Sequence, residues 1–345
     1  MRAFSGANGA CLLTIEGVRE DAPFYRFVIS AQDVDGDGRG DLLHANTETT
    51  CTLSGQNGAI LHCVQDDWAY SMAPAGDIDR DGGTDWLRGA PLDGKRAPNY
   101  DNHYGDTAGF VQLISGRTGK PIWEVHGRPG DVLGWDVCGV GDTSGDGVDD
   151  FLVTKNGDQF ERHSAVVFSG ASREPLWELP FPSGQYREHA ASAGDVDADH
   201  YQDILLGSHA VHSGGSVRVY SGKDGSILLD VQRDTYRFAT LLDGVGDVDA
   251  DGHADIFVGS WDEAVVISGR TGEVVRELHE ACMGYGRADL DGDGHADLLI
   301  TRNVRMSKDD PIDAAWNNGS LEVISGRDGS VLRAITGQDI AALQK

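Results

Sequence analysis

Short apolar runs, each about the length of a β-strand and each cut off by glycine or polar residues, recur from one end of the chain to the other. Leu42-Leu43, Trp86-Leu87, Phe151-Leu152-Val153, Ile204-Leu205-Leu206, Ile256-Phe257-Val258 and Leu298-Leu299-Ile300 are too short to be helices. A second set of runs ends in a Ser-Gly pair, at Ser5-Gly6, Ser54-Gly55, Ser115-Gly116, Ser169-Gly170, Ser221-Gly222, Ser268-Gly269 and Ser325-Gly326. Most copies pass through a second glycine into another apolar run, as in Ile114-Ser115-Gly116-Arg117-Thr118-Gly119 followed by Ile122-Trp123-Glu124-Val125. Strand, glycine-rich turn and strand predict a β-hairpin at each site.

Between successive Ser-Gly turns lies an aspartate-rich loop, which occurs six times. The two motifs alternate in strict order with a period of roughly 50 residues, in the range of propeller blades. One period reads as strand A, aspartate loop, strand B, connection, strand C, Ser-Gly turn and strand D. Four antiparallel strands cannot bury both faces alone, whereas sheets stacked radially can. The predicted fold is all-β, a β-propeller of four-stranded antiparallel blades forming a single domain over 1–345. Six complete blades fall within about 21–340, and residues 1–20 supply only a C–D hairpin, a partial blade. A seven-fold ring is the expectation and a six-fold ring the alternative.

The loop spacing carries chemistry. Positions 1, 3, 5 and 9 hold Asp33, Asp35, Asp37 and Asp41 in loop 1, and Asp77, Asp79, Asp81 and Asp85 in loop 2. Loop 3 has Asp142, Asp146 and Asp150 with Ser144 at position 3. Loop 4 has Asp195, Asp197, Asp199 and Asp203; loop 5 has Asp247, Asp249, Asp251 and Asp255; loop 6 has Asp289, Asp291, Asp293 and Asp297. Alternate residues of a tight loop can aim their carboxylates at one centre, and calcium takes six to eight hard oxygens at about 2.3–2.6 Å. Position 7 would add its backbone carbonyl, which leaves its side chain free to vary: Arg39, Gly83, Val148, Tyr201, His253 and His295. Magnesium would demand a stricter octahedron, so up to six calcium ions are expected. An EF-hand is excluded. Its position 12 needs a glutamate, and here that position is His44, Arg88, Val153, Leu206, Val258 or Ile300, with strands on both flanks. Glycine at position 6 supplies a positive φ, and only loop 4 departs from this, with His200.

Charge narrows the partners. With 28 basic against 56 acidic residues the formal charge is −28, which repels nucleic acid and anionic lipid. Six divalent cations would bring it to about −16. No apolar stretch approaches the ~18 residues that span a bilayer, so no membrane insertion is expected. Met1-Arg2-Ala3-Phe4 runs into the first motif without a secretory signal, as in a cytoplasmic chain or a fragment of a longer one. The five cysteines contain no Cys-x-x-Cys pair, which disfavours zinc. Cys51 and Cys63 flank one predicted hairpin; buried free thiols are the expectation there, a cross-strand disulfide the alternative.

The pattern Gly-Asp-x-Asp-x-Asp-Gly-x-x-Asp, then an apolar strand and a Gly-Ala-Pro or Gly-Ser tail, resembles the FG-GAP repeats of the integrin α-subunit propeller and related bacterial FG-GAP/VCBS-type proteins. Gly76-Asp77 through Asp85-Trp86-Leu87-Arg88-Gly89-Ala90-Pro91 is a close copy, as are Gly194–Ser208 and Gly246–Ser260. The Phe-Gly half is approximated by Leu133-Gly134 and Tyr285-Gly286. The resemblance implies a seven-bladed, calcium-binding, extracellular or cell-surface propeller with interaction surfaces on its loop faces.

Other motifs lead less far. Arg39-Gly40-Asp41 spells an adhesion tripeptide, but Asp41 is position 9 of loop 1 and is expected to be engaged there. His209 and His212 lack the glutamate of a zinc-protease motif. Trp123-Glu124 and Trp177-Glu178 recur on strand D, where packing between blades is expected ahead of sugar stacking. Residues 92–107 and 302–318 are the longest polar excursions and the candidate contact loops. No nucleophile elbow, phosphate loop or dinucleotide fingerprint is present. The expectation is a non-enzymatic, monomeric module that binds a protein or carbohydrate ligand through its loop faces. The alternative is the propeller portion of a secreted hydrolase or lyase.

Overall fold

The computed structural model describes residues 2–4, 11–14, 27–45, 49–65, 69–92, 107–157, 163–182, 187–209, 214–260, 263–279, 281–302 and 319–336. Those residues are all-β and form two compact units, Met1–Pro180 and Phe181–Lys345. No helix among them is long and apolar enough to cross a membrane. The first unit holds blade 1 (27–65), blade 2 (71–126) and blade 3 (133–180); the second holds blade 4 (187–233), blade 5 (241–279) and blade 6 (281–336). Every blade is a four-stranded antiparallel meander in the order A-B-C-D, as the alternation of motifs predicts. Arg2–Phe4 and Cys11–Thr14 pair as a separate two-stranded antiparallel hairpin.

The strands explain their own sequence patterns. B strands such as Asp85–Ala90 and Asp203–His209 are buried at every position, which is why their central runs, Trp86-Leu87 and Ile204-Leu205-Leu206, do not alternate with polar residues. D strands such as Pro121–His126 and Val331–Thr336 alternate or stay exposed. Within the first unit, Leu87, Val111 and Leu113 of blade 2 pack with Phe151, Val153 and Phe168 of blade 3. Trp123 on strand D of blade 2 meets Phe151 and Phe168 edge-on, at 5.4 and 5.3 Å between ring centres, so this tryptophan packs against the next blade. In the second unit Leu205, Val217 and Val219 of blade 4 pack with Ile256, Val258 and Ile267 of blade 5.

One expectation is corrected. Cys51 and Cys63 are joined in a disulfide and are not free thiols. The cause is register. A bulge between Thr52 and Leu53 shifts the C–D pairing of blade 1 by one residue, and this sets Cys51 directly opposite Cys63. Residues 93–106 and 303–318, which hold most of the two candidate contact loops, and His212 lie outside the described residues.

Candidate metal centres

Each aspartate loop joins strand A to strand B of its blade, and its carboxylates fold it. The position 1 aspartate accepts the N–H of position 5 at 3.0–3.1 Å with one oxygen, and that of position 6 at 2.8–3.0 Å with the other. The position 5 aspartate accepts the N–H of position 7 at 2.8–3.0 Å in all six loops. Two left-handed bends make this wrapping fit. The expected one is at position 6, where His200 adopts φ 75° beside 89° for Gly252. The other is at position 4, which spacing arguments did not single out: Gly36, Gly145 and Gly292 stand there, but so do Arg80, Ala198 and Ala250 at φ 60°, 61° and 59°.

The position 9 aspartate has a separate task. It is almost wholly buried, between 0 and 2 % exposed in all six blades. One oxygen accepts the N–H of the glycine in the Ser-Gly turn of the same blade: Gly55 to Asp41, Gly116 to Asp85, Gly170 to Asp150, Gly222 to Asp203, Gly269 to Asp255 and Gly326 to Asp297, at 2.8–3.1 Å. The other reaches the start of the loop, as from Val34, Ile78, Val196, Val248 and Leu290 at 2.7–2.9 Å. In loop 3 the Thr143 hydroxyl and the Ser144 N–H take that place, both at 2.7 Å. The turn must be glycine because a Cβ at Gly55 would lie 1.8 Å from the Gly40 carbonyl oxygen, and one at Gly269 1.8 Å from that of Ala254. This bond is why the two sequence motifs alternate. For Asp41 it also settles the tripeptide: its carboxylate is engaged inside the blade, not offered to a partner.

Five loops bring three carboxylates together, with one ligand oxygen from each lying within 4.8 Å of the others. In loops 1, 4 and 5 these are positions 1, 3 and 5: Asp33, Asp35 and Asp37; Asp195, Asp197 and Asp199; Asp247, Asp249 and Asp251. In loops 2 and 6 they are positions 1, 3 and 9: Asp77, Asp79 and Asp85; Asp289, Asp291 and Asp297. Among the described residues no such group forms in loop 3, where Ser144 replaces the central carboxylate. The electrostatics follow the geometry. Asp35, Asp79, Asp197, Asp249 and Asp291, the position 3 residues of those five loops, all have raised pKa values, first through desolvation and then through the flanking carboxylates. Burial also pushes Asp85 and Asp255 up to about 6 and Asp203 up to about 7, against the bonds from their glycines. A hard cation relieves this repulsion, and an all-oxygen donor set suits calcium, magnesium or manganese.

Position 7 side chains differ in what they touch. Val148 is buried, and Tyr201 lies 5.2 Å from the Lys223 ammonium, which itself pairs with Asp199 at 3.3 Å. His253 and His295 turn towards the preceding loop, donating from Nδ1 to the carbonyls of Val196 and Val248 at 2.7 and 2.8 Å. His209, the described member of the noted histidine pair, is buried and stacks on His189 at 5.9 Å.

Comparison with known proteins gives the same architecture. The chain is similar in fold to the N-terminal part of BBS1 solved in complex with ARL6 (TM-score 0.58, 11% identity, 90% of this chain and 81% of that one). The fold is a β-propeller. A rhamnogalacturonan lyase, YesW, has a TM-score of 0.50 with 13% identity over 90% of this propeller and 64% of that chain, a likeness in fold alone. In sequence, 173 residues are 29% identical to integrin alpha-4 of Xenopus laevis, covering 43% of this chain. The match spans about one sixth of that integrin's length, 16%. No family model matches.

Proposed function

We propose that this propeller is a calcium-stabilised recognition module of the FG-GAP type, extracellular or on the cell surface, which binds a protein or carbohydrate ligand through its loop faces without catalysing a reaction. What carries the reading is the convergence of three carboxylates in each of five loops, with one ligand oxygen from each lying within 4.8 Å of the others. Such groups repel one another until a cation fills the site. The Cys51–Cys63 disulfide accords with an oxidising compartment, and the partial identity with an integrin α chain accords with adhesion. On this reading the N-terminal hairpin is part of a seventh blade, the protein is a monomer, and it neither binds nucleic acid nor enters a membrane.

The residues present fit the ion. Positions 1, 3, 5 and 9 would hold it with carboxylate oxygens and position 7 with its carbonyl. Bound calcium would supply a rigid electrostatic tie and no bond chemistry. Binding to the native state alone stabilises by about 2.7 kcal/mol per site at a hundredfold excess over Kd. The melting temperature should therefore fall by many degrees in EDTA and recover with calcium in excess. Calorimetry should count five ions, and glycan arrays or purified matrix proteins should retain the chain only in calcium. Melting curves that superimpose with and without chelator would overturn the reading.

A further inference from the structure

Within the second unit, consecutive loops are bonded to one another in series. The N–H of Ala254, at position 8 of loop 5, donates to the carbonyl of Asp195, at position 1 of loop 4, at 2.9 Å. The His253 ring beside it donates to the carbonyl of Val196 at 2.7 Å. Loop 6 repeats the arrangement on loop 5: Ala296 N–H to Asp247 at 2.8 Å and His295 Nδ1 to Val248 at 2.8 Å. Each acceptor carbonyl lies in the short segment between two carboxylates of one candidate centre, 195–197 or 247–249. Each donor pair lies at position 7, whose own carbonyl is the expected ligand of the next centre, and at position 8.

In the first unit the equivalent link between loops 1 and 2 is weaker. Position 7 is Gly83, with no side chain to reach back, and the Thr84 N–H stands 3.3 Å from the Asp33 carbonyl.

Resting on the calcium reading above, we infer that His253 and His295 are positioning residues that couple neighbouring cation sites, so that loops 4, 5 and 6 load cooperatively. A cation in loop 4 fixes the 195–197 segment. Through two hydrogen bonds that segment fixes residues 253–254, and so aims the position 7 carbonyl of loop 5. The same two bonds act between loops 5 and 6. Coupling of this kind is reciprocal, so a cation in loop 5 must also strengthen loop 4. The histidines hold a peptide in place and do not themselves bind the ion.

Reciprocity supplies the test. Terbium(III) replaces calcium at all-oxygen sites and luminesces when a nearby tyrosine is excited; Tyr201 sits at position 7 of loop 4. The full chain is titrated with terbium, the part of the signal lost in Y201F being assigned to loop 4, and with calcium by calorimetry. His253→Ala should raise the loop 4 midpoint about fivefold, although it changes no residue of loop 4, while the number of ions bound stays the same. His253→Phe keeps the ring volume and removes the donor, so it should behave like the alanine variant and guards against a simple loss of packing. His253→Asn retains a donor and should restore the wild-type midpoint. Wild-type midpoints in both the alanine and phenylalanine variants would overturn the coupling while leaving calcium binding intact. A chain that binds neither ion would overturn the calcium reading and the coupling with it.

Discussion

Blades 1–3 and blades 4–6 repeat one plan, yet the two sets reinforce it differently. In the first set, blade 1 is closed by the Cys51–Cys63 disulfide, loops 1 and 2 meet through one long hydrogen bond, and loop 3 gathers no group of three carboxylates. In the second set the described residues contain no disulfide, but all three loops form carboxylate groups and each histidine-bearing loop is bonded twice to the loop before it. The first set carries a covalent tie and the second a polar network. A covalent tie acts whatever the cation concentration or pH, whereas the network should respond to both.

Three measurements break or sharpen this contrast. Reduction of the disulfide, or paired C51S/C63S substitution, should destabilise the first set by about 3 kcal/mol, the value for a short closed loop. Hydrogen exchange should show the loss in blade 1 peptides and not in those of blades 4–6. Equal loss across both would erase the distinction.

Next, at pH 8, where Asp203 is ionised and accepts both bonds, Asp203→Asn should cost about 2 kcal/mol in urea unfolding. An amide can accept from only one of Gly222 and Val196, and it leaves the other N–H buried without its bond. Lys223→Ala, which removes a solvent-screened pair with Asp199 and a contact with the Tyr201 ring, should leave the unfolding curve nearly unchanged. If the two cost the same, the buried aspartate is not the fastening described here.

The third measurement is the pH dependence without metal. Asp203, Asp255 and Asp85 have folded pKa values of about 7, about 6 and about 6, raised from 3.8. The folded chain thus holds protons that the unfolded chain has released. The stability from these groups is complete below about pH 4 and is lost as pH rises towards 7. In EDTA, melting should be higher at pH 5 than at pH 8, with blades 4–6 losing more because they hold two of the three groups. In calcium the trend should reverse, since protons compete with the cation. Melting in EDTA that is flat or rises with pH would contradict this assignment.

What could be read from the chain alone was whatever is local. Strand lengths, the order of strands and the six loops all follow from spacings within a few residues, and all are present. The other features depend on partners far away in sequence. The disulfide turned on a bulge at Thr52/Leu53, which no residue type announces. The left-handed bend at position 4 is hinted at by glycine in three loops and concealed by Arg80, Ala198 and Ala250 in the others. The task of position 9 was hidden because the aspartate and its glycine donor are 14 to 31 residues apart. His253 and His295 read as variable side chains, and only the neighbouring blade reveals what they reach.

The bond from the deepest aspartate of each loop to the glycine turn of its own blade has a bearing on how such chains grow. Each copy brings both halves of its latch within one stretch of sequence, so a copy can be gained or dropped without rewiring any other. Copy number is then free to vary, and only the contacts at the seams need to be remade.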